Sequence, residues 1–208
     1  MDSSFWHSRW AQGRIAFHEG KPNVHLVNHQ ARLGTGKRVF VPLCGKAEDL
    51  AWLAAREQEV VGVELVEVAV SDFFDERSVK PTITRRGRFN QYTADNITLL
   101  AGDFFDLTPE VLGPVDAFYG RSAVTALPSE LRRPYAQRVC ELMPAGAPGL
   151  IVTVEYPQHR MKGPPFSVPE AELRAIYERP MECIAEVPAE DPRQAPLGAV
   201  EKCFFIRF

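Results

Sequence analysis

The fold class predicted for this chain is α/β, a doubly wound and mostly parallel sheet. Three observations predict it. Short apolar-rich segments that read as strands recur along the sequence, within RVFVPL, QEVVGVEL, NITLLAGDFFDL, PVDAFYG and APGLIVTVEY. Stretches with apolar residues at helical spacing, AEDLAWLAARE, VEVAVSDFFDER and SELRRPYAQRVCELM, lie among them. Strands covered on both faces by crossover helices lose the in-out alternation of a half-exposed strand, so continuous apolar runs suit a parallel sheet. Alternation of strand and helix points the same way.

The elements follow in order. SSFWHSRWA offers a Ser cap and the aromatics Phe5, Trp6 and Trp10, and Asn23 is placed to cap VHLVNHQARL. Between them GRIAFHEGKPN is punctuated by Gly and Pro as a loop. Residues 1–34 therefore read as a helical lead-in expected to serve as a lid, and residues 35–208 as the core of a single domain. The polar region PTITRRGRFNQYTA is expected to hold one strand and a turn. The C-terminus breaks the alternation: MECIAEVPAE and VEKCFFIRF are both strand-like, and the last is expected to insert antiparallel at the far end of the sheet.

Composition excludes several classes. With 208 residues and 45% hydrophobic content, the chain can bury one substantial core but not two ordinary domains. A charged fraction of 25% and a net charge of −3 argue against a nucleic-acid backbone or an anionic membrane as partner. No apolar window approaches the roughly eighteen residues that span a bilayer. The opening MDSSFWHSRW lacks the basic flank and apolar stretch of a secretory signal, so a cytoplasmic location is expected. Cys44, Cys140, Cys183 and Cys203 are scattered without a CxxC pair and read as reduced thiols. His25 and His29 share a helix face, but no third ligand type stands nearby, and no metal is expected. No large apolar surface stripe is evident, so a monomer is expected.

Ligands of an open parallel sheet sit beyond the carboxyl ends of its strands. After the first run comes Pro42-Leu43-Cys44-Gly45-Lys46, a tight turn with one glycine. Further along, the second run ends at Glu64, where an acid can accept hydrogen bonds from both hydroxyls of a ribose. Gly102-Asp103-Phe104-Phe105 follows the fourth run, with an aromatic to stack on a purine and an acid to read its edge. Tyr119-Gly120-Arg121-Ser122 follows the fifth and supplies a cation. Each residue alone has an ordinary reading: a turn glycine, a helix-capping acid, a cap for the next turn, a surface arginine. Four ligand-type positions at the ends of four strands do not. A pyrophosphate needs a glycine-rich turn and an open helix N-terminus. PLCGK has neither, so a nucleoside cofactor without phosphates fits better.

VPLCGKAEDLAWLA, VVGVEL and DFF, together with FWHSRWAQGRIAFHEG, GDFFDL, RSAVTALP and GPPFSVPEAEL, resemble the thiopurine S-methyltransferase family. The resemblance runs through nearly the whole chain, and the Trp-rich block with AFH and PLCGK is its specific part. It implies a Rossmann-like fold and S-adenosylmethionine as cofactor. It further implies that Trp10, Leu43, Glu64, Asp103, Phe104 and Arg121 line the cofactor site, and that Phe17 covers cofactor and substrate. The acceptors it implies are thiopurines, other small thiols, and selenium or tellurium compounds. In one respect the sequence departs from the family, which usually has Asp where Gly120 precedes Arg121. Reduced activity on the usual substrates is the expectation.

The chemistry agrees with the resemblance. Methyl transfer from a sulfonium is an in-line displacement in which opposite charges cancel, so a dry, positioning pocket does most of the work. Trp10 and Phe17 can hold the sulfonium through their ring faces, for about 1 kcal/mol each. Arg121 can stabilise a thiolate, and no catalytic histidine is required. Two rivals share the fold: a halide or simple-thiol methyltransferase, and a non-catalytic S-adenosylmethionine-binding protein, which Gly120 alone favours.

Overall fold

The computed structural model describes residues 3–15 and 18–208, Ser3 through its backbone alone; Phe17 lies outside the described residues. The chain organises as two compact units, one ending at Ala117 and one spanning Phe118–Phe208.

The first unit opens with α1 (Ser3–Ala11) and α2 (Val24–His29), the latter continuing as a 3-10 turn over Gln30–Leu33. Asn23 caps α2 as its sequence position suggests. Its side-chain oxygen accepts from the His25 amide at 3.0 Å, while its own amide donates to the buried Asp49 carboxylate at 2.7 Å. There follow β1 (Arg38–Pro42), α3 (Glu48–Ala54), β2 (Glu59–Glu64) and α4 (Glu67–Asp75). Next come β3 (Thr82–Arg86), β4 (Phe89–Ala94), β5 (Ile97–Ala101) and the short α5 (Pro109–Leu112). Strand order within this unit is β3-β4-β5-β2-β1. β1, β2 and β5 run parallel, and their apolar runs are buried as continuous strands should be. The region expected to hold one strand holds two: β3 and β4 form a hairpin turning at Gly87-Arg88 and pair antiparallel onto β5. Its polar composition, which obscured it, reflects an edge strand whose residues are nearly all exposed.

The second unit takes up all but the first residue of β6 (Ala117–Arg121) and continues through α6 (Ala123–Ala126), α7 (Ser129–Leu142), β7 (Pro148–Glu155), α8 (Glu170–Tyr177), β8 (Met181–Pro188) and β9 (Val200–Arg207). β6 and β7 are parallel. β9 is antiparallel, as its place after a second strand-like run suggests, but it is not at the edge. It inserts between β7 and β8, giving the order β6-β7-β9-β8. The run CFFIR explains the insertion: Cys203, Phe204 and Ile206 are fully buried, which an interior strand provides and an edge strand does not. Among the described residues no helix is long and apolar enough to cross a membrane, and the four cysteines are free thiols.

Candidate functional site

Glu64 ends β2 with only 8% of its surface exposed. A carboxylate is costly to bury unless donors meet it. Two backbone donors do: the Gly45 amide reaches Oε2 at 2.9 Å and the Val66 amide reaches Oε1 at 2.9 Å. The Glu64 carbonyl in turn accepts from the Gly102 amide at 2.8 Å. One residue thereby fastens the turns that follow β1, β2 and β5. Burial raises the pKa of the Glu64 carboxyl from its ordinary value, and the Val66 and Gly45 amides, with the nearby Leu65 amide, pull against that rise.

The turn after β1 is built to deliver the Gly45 donor. Its Cys44 amide extends the parallel ladder by donating to the Val63 carbonyl at 3.1 Å. Leu43 (φ 49°) and Gly45 (φ 53°) both adopt the left-handed conformation. Glycine takes it freely, whereas for leucine it costs on the order of 1–2 kcal/mol. Strain of that kind collects at ligand sites, where the surrounding structure enforces it. Lys46, the next residue but one from Cys44, is buried and pairs its ammonium with Glu76 at the end of α4. Burial first and Glu64 second push the Cys44 thiol well up, so it is an inert packing group.

Trp10 covers this arrangement. It is 7% exposed and packs with Val66 and Ala69, with Trp6, Ile15 and Leu65 against the same cluster. A β-carbon added to Gly45 would lie 3.4 Å from the Trp10 ring. The lead-in helix α1 thus rests on the two turns whose amides hold Glu64.

Asp103 and Phe104 follow β5. The Asp103 carboxylate is exposed and caps the 3-10 turn Phe104–Asp106, accepting from the Phe105 amide at 2.9 Å. Phe104 turns inward, 4% exposed, and stacks on Phe40 of β1 with centroids 6.5 Å apart and planes 11° apart. Its ring packs in the core of the first unit.

Arg121 belongs to the second unit, where it ends β6 opposite Val152 of β7. Ser122 turns the chain in the left-handed conformation (φ 60°), its amide 3.4 Å from the Val152 carbonyl. The Thr125 hydroxyl donates to the Ser122 carbonyl at 3.0 Å and closes the turn into α6. Gly120 does not leave a vacancy beside Arg121. A β-carbon there would lie 2.8 Å from the Phe118 ring, which is fully buried. The space an aspartate would use is taken by an aromatic from the same strand.

Trp10, Leu43, Gly45 and Glu64 therefore come together at the ends of β1 and β2, and Asp103 and Phe104 join them through the Gly102 amide. Sequence reasoning missed the grip of Gly45 and Val66 on Glu64 and the pairing of Lys46 with Glu76. Only the separation of Gly45 from Glu64 hinted at the first, and nothing in the sequence signalled the second.

A buried acid at the end of the second strand of an open α/β sheet, held by the amides of neighbouring turns, is what a nucleoside-binding Rossmann-like protein presents, and the likeness to known proteins puts this chain in the S-adenosylmethionine-dependent methyltransferase class. The chain belongs to the thiopurine S-methyltransferase family, whose model matches residues 1–198. It is 50% identical over 179 residues to a thiopurine S-methyltransferase of Pseudomonas aeruginosa (strain UCBPP-PA14), covering 85% of this chain and 82% of that one. A thiopurine S-methyltransferase of Xanthobacter autotrophicus is 46% identical over 180 residues, covering 85% and 84%. Among solved structures, the fold is similar to that of Burkholderia thailandensis 1,6-didemethyltoxoflavin-N1-methyltransferase, determined with 1,6-didemethyltoxoflavin and S-adenosylhomocysteine. The TM-score is 0.67 at 16% identity, over 99% of this chain and 86% of that one.

Proposed function

We propose that the chain acts as one catalytic domain that methylates the sulfur of a thiopurine or another small thiol, with selenium and tellurium compounds as further acceptors. The Glu64 arrangement carries the reading: each carboxylate oxygen already accepts one backbone amide and keeps lone-pair capacity for a ribose hydroxyl. When bound, S-adenosylmethionine supplies a methyl carbon on a sulfonium, which the acceptor sulfur takes in line while the electrons of the broken bond stay on the departing sulfur. The chain's own residues bind and position. Glu64 holds the ribose, Leu43 and Trp10 bound the cofactor with apolar surface, and Asp103 and the backbone of Phe104 border its base. Phe17 covers the reacting groups from the lead-in. Arg121 stabilises the acceptor as its thiolate, whose proton has gone to solvent beforehand. In this reading the protein works in the cytoplasm as a monomer on small molecules, without a metal.

Incubating the full chain with methyl-labelled S-adenosylmethionine and a panel of thiopurines, simple thiols and halides tests this. Labelled S-methyl thiopurine is the expected product. Turnover of halide or simple thiols alone would assign the chemistry to a smaller acceptor. Calorimetric binding of S-adenosylhomocysteine without turnover of any acceptor would leave a binding protein.

A further inference from the structure

We infer that the segment after β7 carries an oxyanion subsite for the methyl acceptor, in which Arg160 and Lys162 meet a carboxylate or phosphate borne by the acceptor away from its sulfur. The inference rests on the methyl-transfer reading above and names the substrate class for it.

Topology places the segment. β6 and β7 run parallel with Arg121 opposite Val152, so both strands end on the same side of the unit, and β7 ends at Glu155. In open α/β sheets that is the ligand side. Residues 156–169 contain His159, Arg160 and Lys162 and neither Asp nor Glu. The Tyr119-Gly120-Arg121-Ser122 strand end contributes no acid either.

The segment is held firmly. The Tyr156 hydroxyl donates to the Pro165 carbonyl at 2.6 Å, and the Gln158 side chain donates to the Met161 carbonyl at 2.6 Å and accepts from the Ser167 amide at 2.9 Å. Its returning limb is tied to α6, which Arg121 and Ser122 lead into: the Phe166 amide donates to the Thr125 carbonyl at 2.6 Å. Arg132, 4% exposed, bonds the Ser167 carbonyl at 3.2 Å and pairs with Glu172. Side chains on a pre-ordered frame lose less entropy when a ligand binds.

The cations on this frame are available. In the same unit Arg132, Arg133, Arg174 and Lys202 each hold a glutamate. The Arg160 and Lys162 side chains are exposed and have no hydrogen-bond or ion-pair partner among the described residues. Solvation alone would account for one unpaired cation in a mobile loop. Two cations, one residue apart in a pinned and acid-free segment on the ligand side, are arranged to receive an oxyanion, arginine through its fork and lysine as a point charge.

The test compares acceptors in pairs: 4-mercaptobenzoate with its methyl ester, and 6-mercaptopurine riboside 5′-phosphate with the free riboside. kcat/KM is measured for the full chain and for Arg160→Gln/Lys162→Gln. The native protein should prefer the anionic member of at least one pair by about tenfold, as two charge-assisted contacts together allow at an exposed site. The preferred pair says whether carboxylate or phosphate is the ligand. In the double variant the preference should fall below about twofold, mainly through KM. Lys80→Gln/Arg85→Gln, which removes the same charge from the first unit, should keep it. Absence of any preference in the native protein, or the same preference in the Arg160/Lys162 variant, overturns the subsite and leaves methyl transfer standing. Failure to methylate all four acceptors removes the thiopurine and aromatic-thiol reading and the subsite together.

Discussion

The Gly45 amide donates to Glu64 Oε2 at 2.9 Å across nineteen residues of sequence, and that bond joins the turn after β1 to the end of β2. Glu64 is therefore a structural tie before it is a ligand group. Any substitution there must be read on two scales, cofactor affinity and stability.

Glu64→Ala should weaken S-adenosylhomocysteine by about 1.5–3 kcal/mol, the loss expected for hydrogen bonds to a charged group. Glu64→Gln is the sharper probe. A carboxamide offers one accepting oxygen, so one of the Gly45 and Val66 donors would face an NH2 group. Stability should fall by about 1–3 kcal/mol even without cofactor, read as a lower Tm. A glutamine variant that melts like the native protein would mean that these amides find other partners.

The raised carboxyl of Glu64 sets a pH dependence. Between the ordinary glutamate pKa and the folded one, the native state holds the proton more tightly than the unfolded state. The stabilising contribution of Glu64 is thus complete below its unfolded pKa and is lost as pH rises through the folded value. Cofactor binding has the opposite slope, because ribose hydroxyls donate to the carboxylate form. S-adenosylhomocysteine affinity should hold at high pH and decline as pH falls through the raised pKa. Calorimetric titrations carried down in pH should show the decline in the native protein and a flatter profile in Glu64→Gln.

Trp10 rests on Gly45 and Val66, so α1 should feel the state of the site beneath it. Amides in residues 3–15 are expected to exchange more slowly when S-adenosylhomocysteine is bound, as in enzymes whose lids close over ligand. Equal exchange with and without it would leave Trp10 a packing residue alone.

The contact between Gly120 and Phe118 predicts that restoring the usual aspartate is harmful in this chain. Gly120→Asp should destabilise by about 1–3 kcal/mol through overpacking. Phe118→Ala is itself costly because the ring is fully buried, but in that background the further cost of Gly120→Asp should shrink, a coupling that two independent sites would not show. Additive melting shifts would show that the cost of the aspartate does not come from the Phe118 ring.

Arg121 is the residue on which catalysis is expected to turn. Arg121→Ala should lower kcat/KM by roughly tenfold to a thousandfold for an anionic acceptor, and by less for a neutral selenoether. Arg121→Lys should also be costly if the guanidinium binds through two nitrogens. Equal losses for both acceptors would assign Arg121 to cofactor binding or folding.

Much of this was legible in the sequence. Burial of a continuous strand or of one helix face leaves a local, periodic imprint, so β1, β2, β5, β6, β7 and the helices α3, α4 and α7 could be read from short windows. The place of Glu64 could be read too, because strand, turn and crossover helix have nearly fixed lengths. Tertiary structure alone decided which distant atoms meet: the insertion of β9 between β7 and β8, the turn of Phe104 toward Phe40, the amides closing on Glu64, and the Phe118 ring filling the space at Gly120. Periodicity records whether a residue is buried. It does not record against what, because that depends on strand order and on backbone turns such as the left-handed Leu43, which carry no repeating signal along the chain.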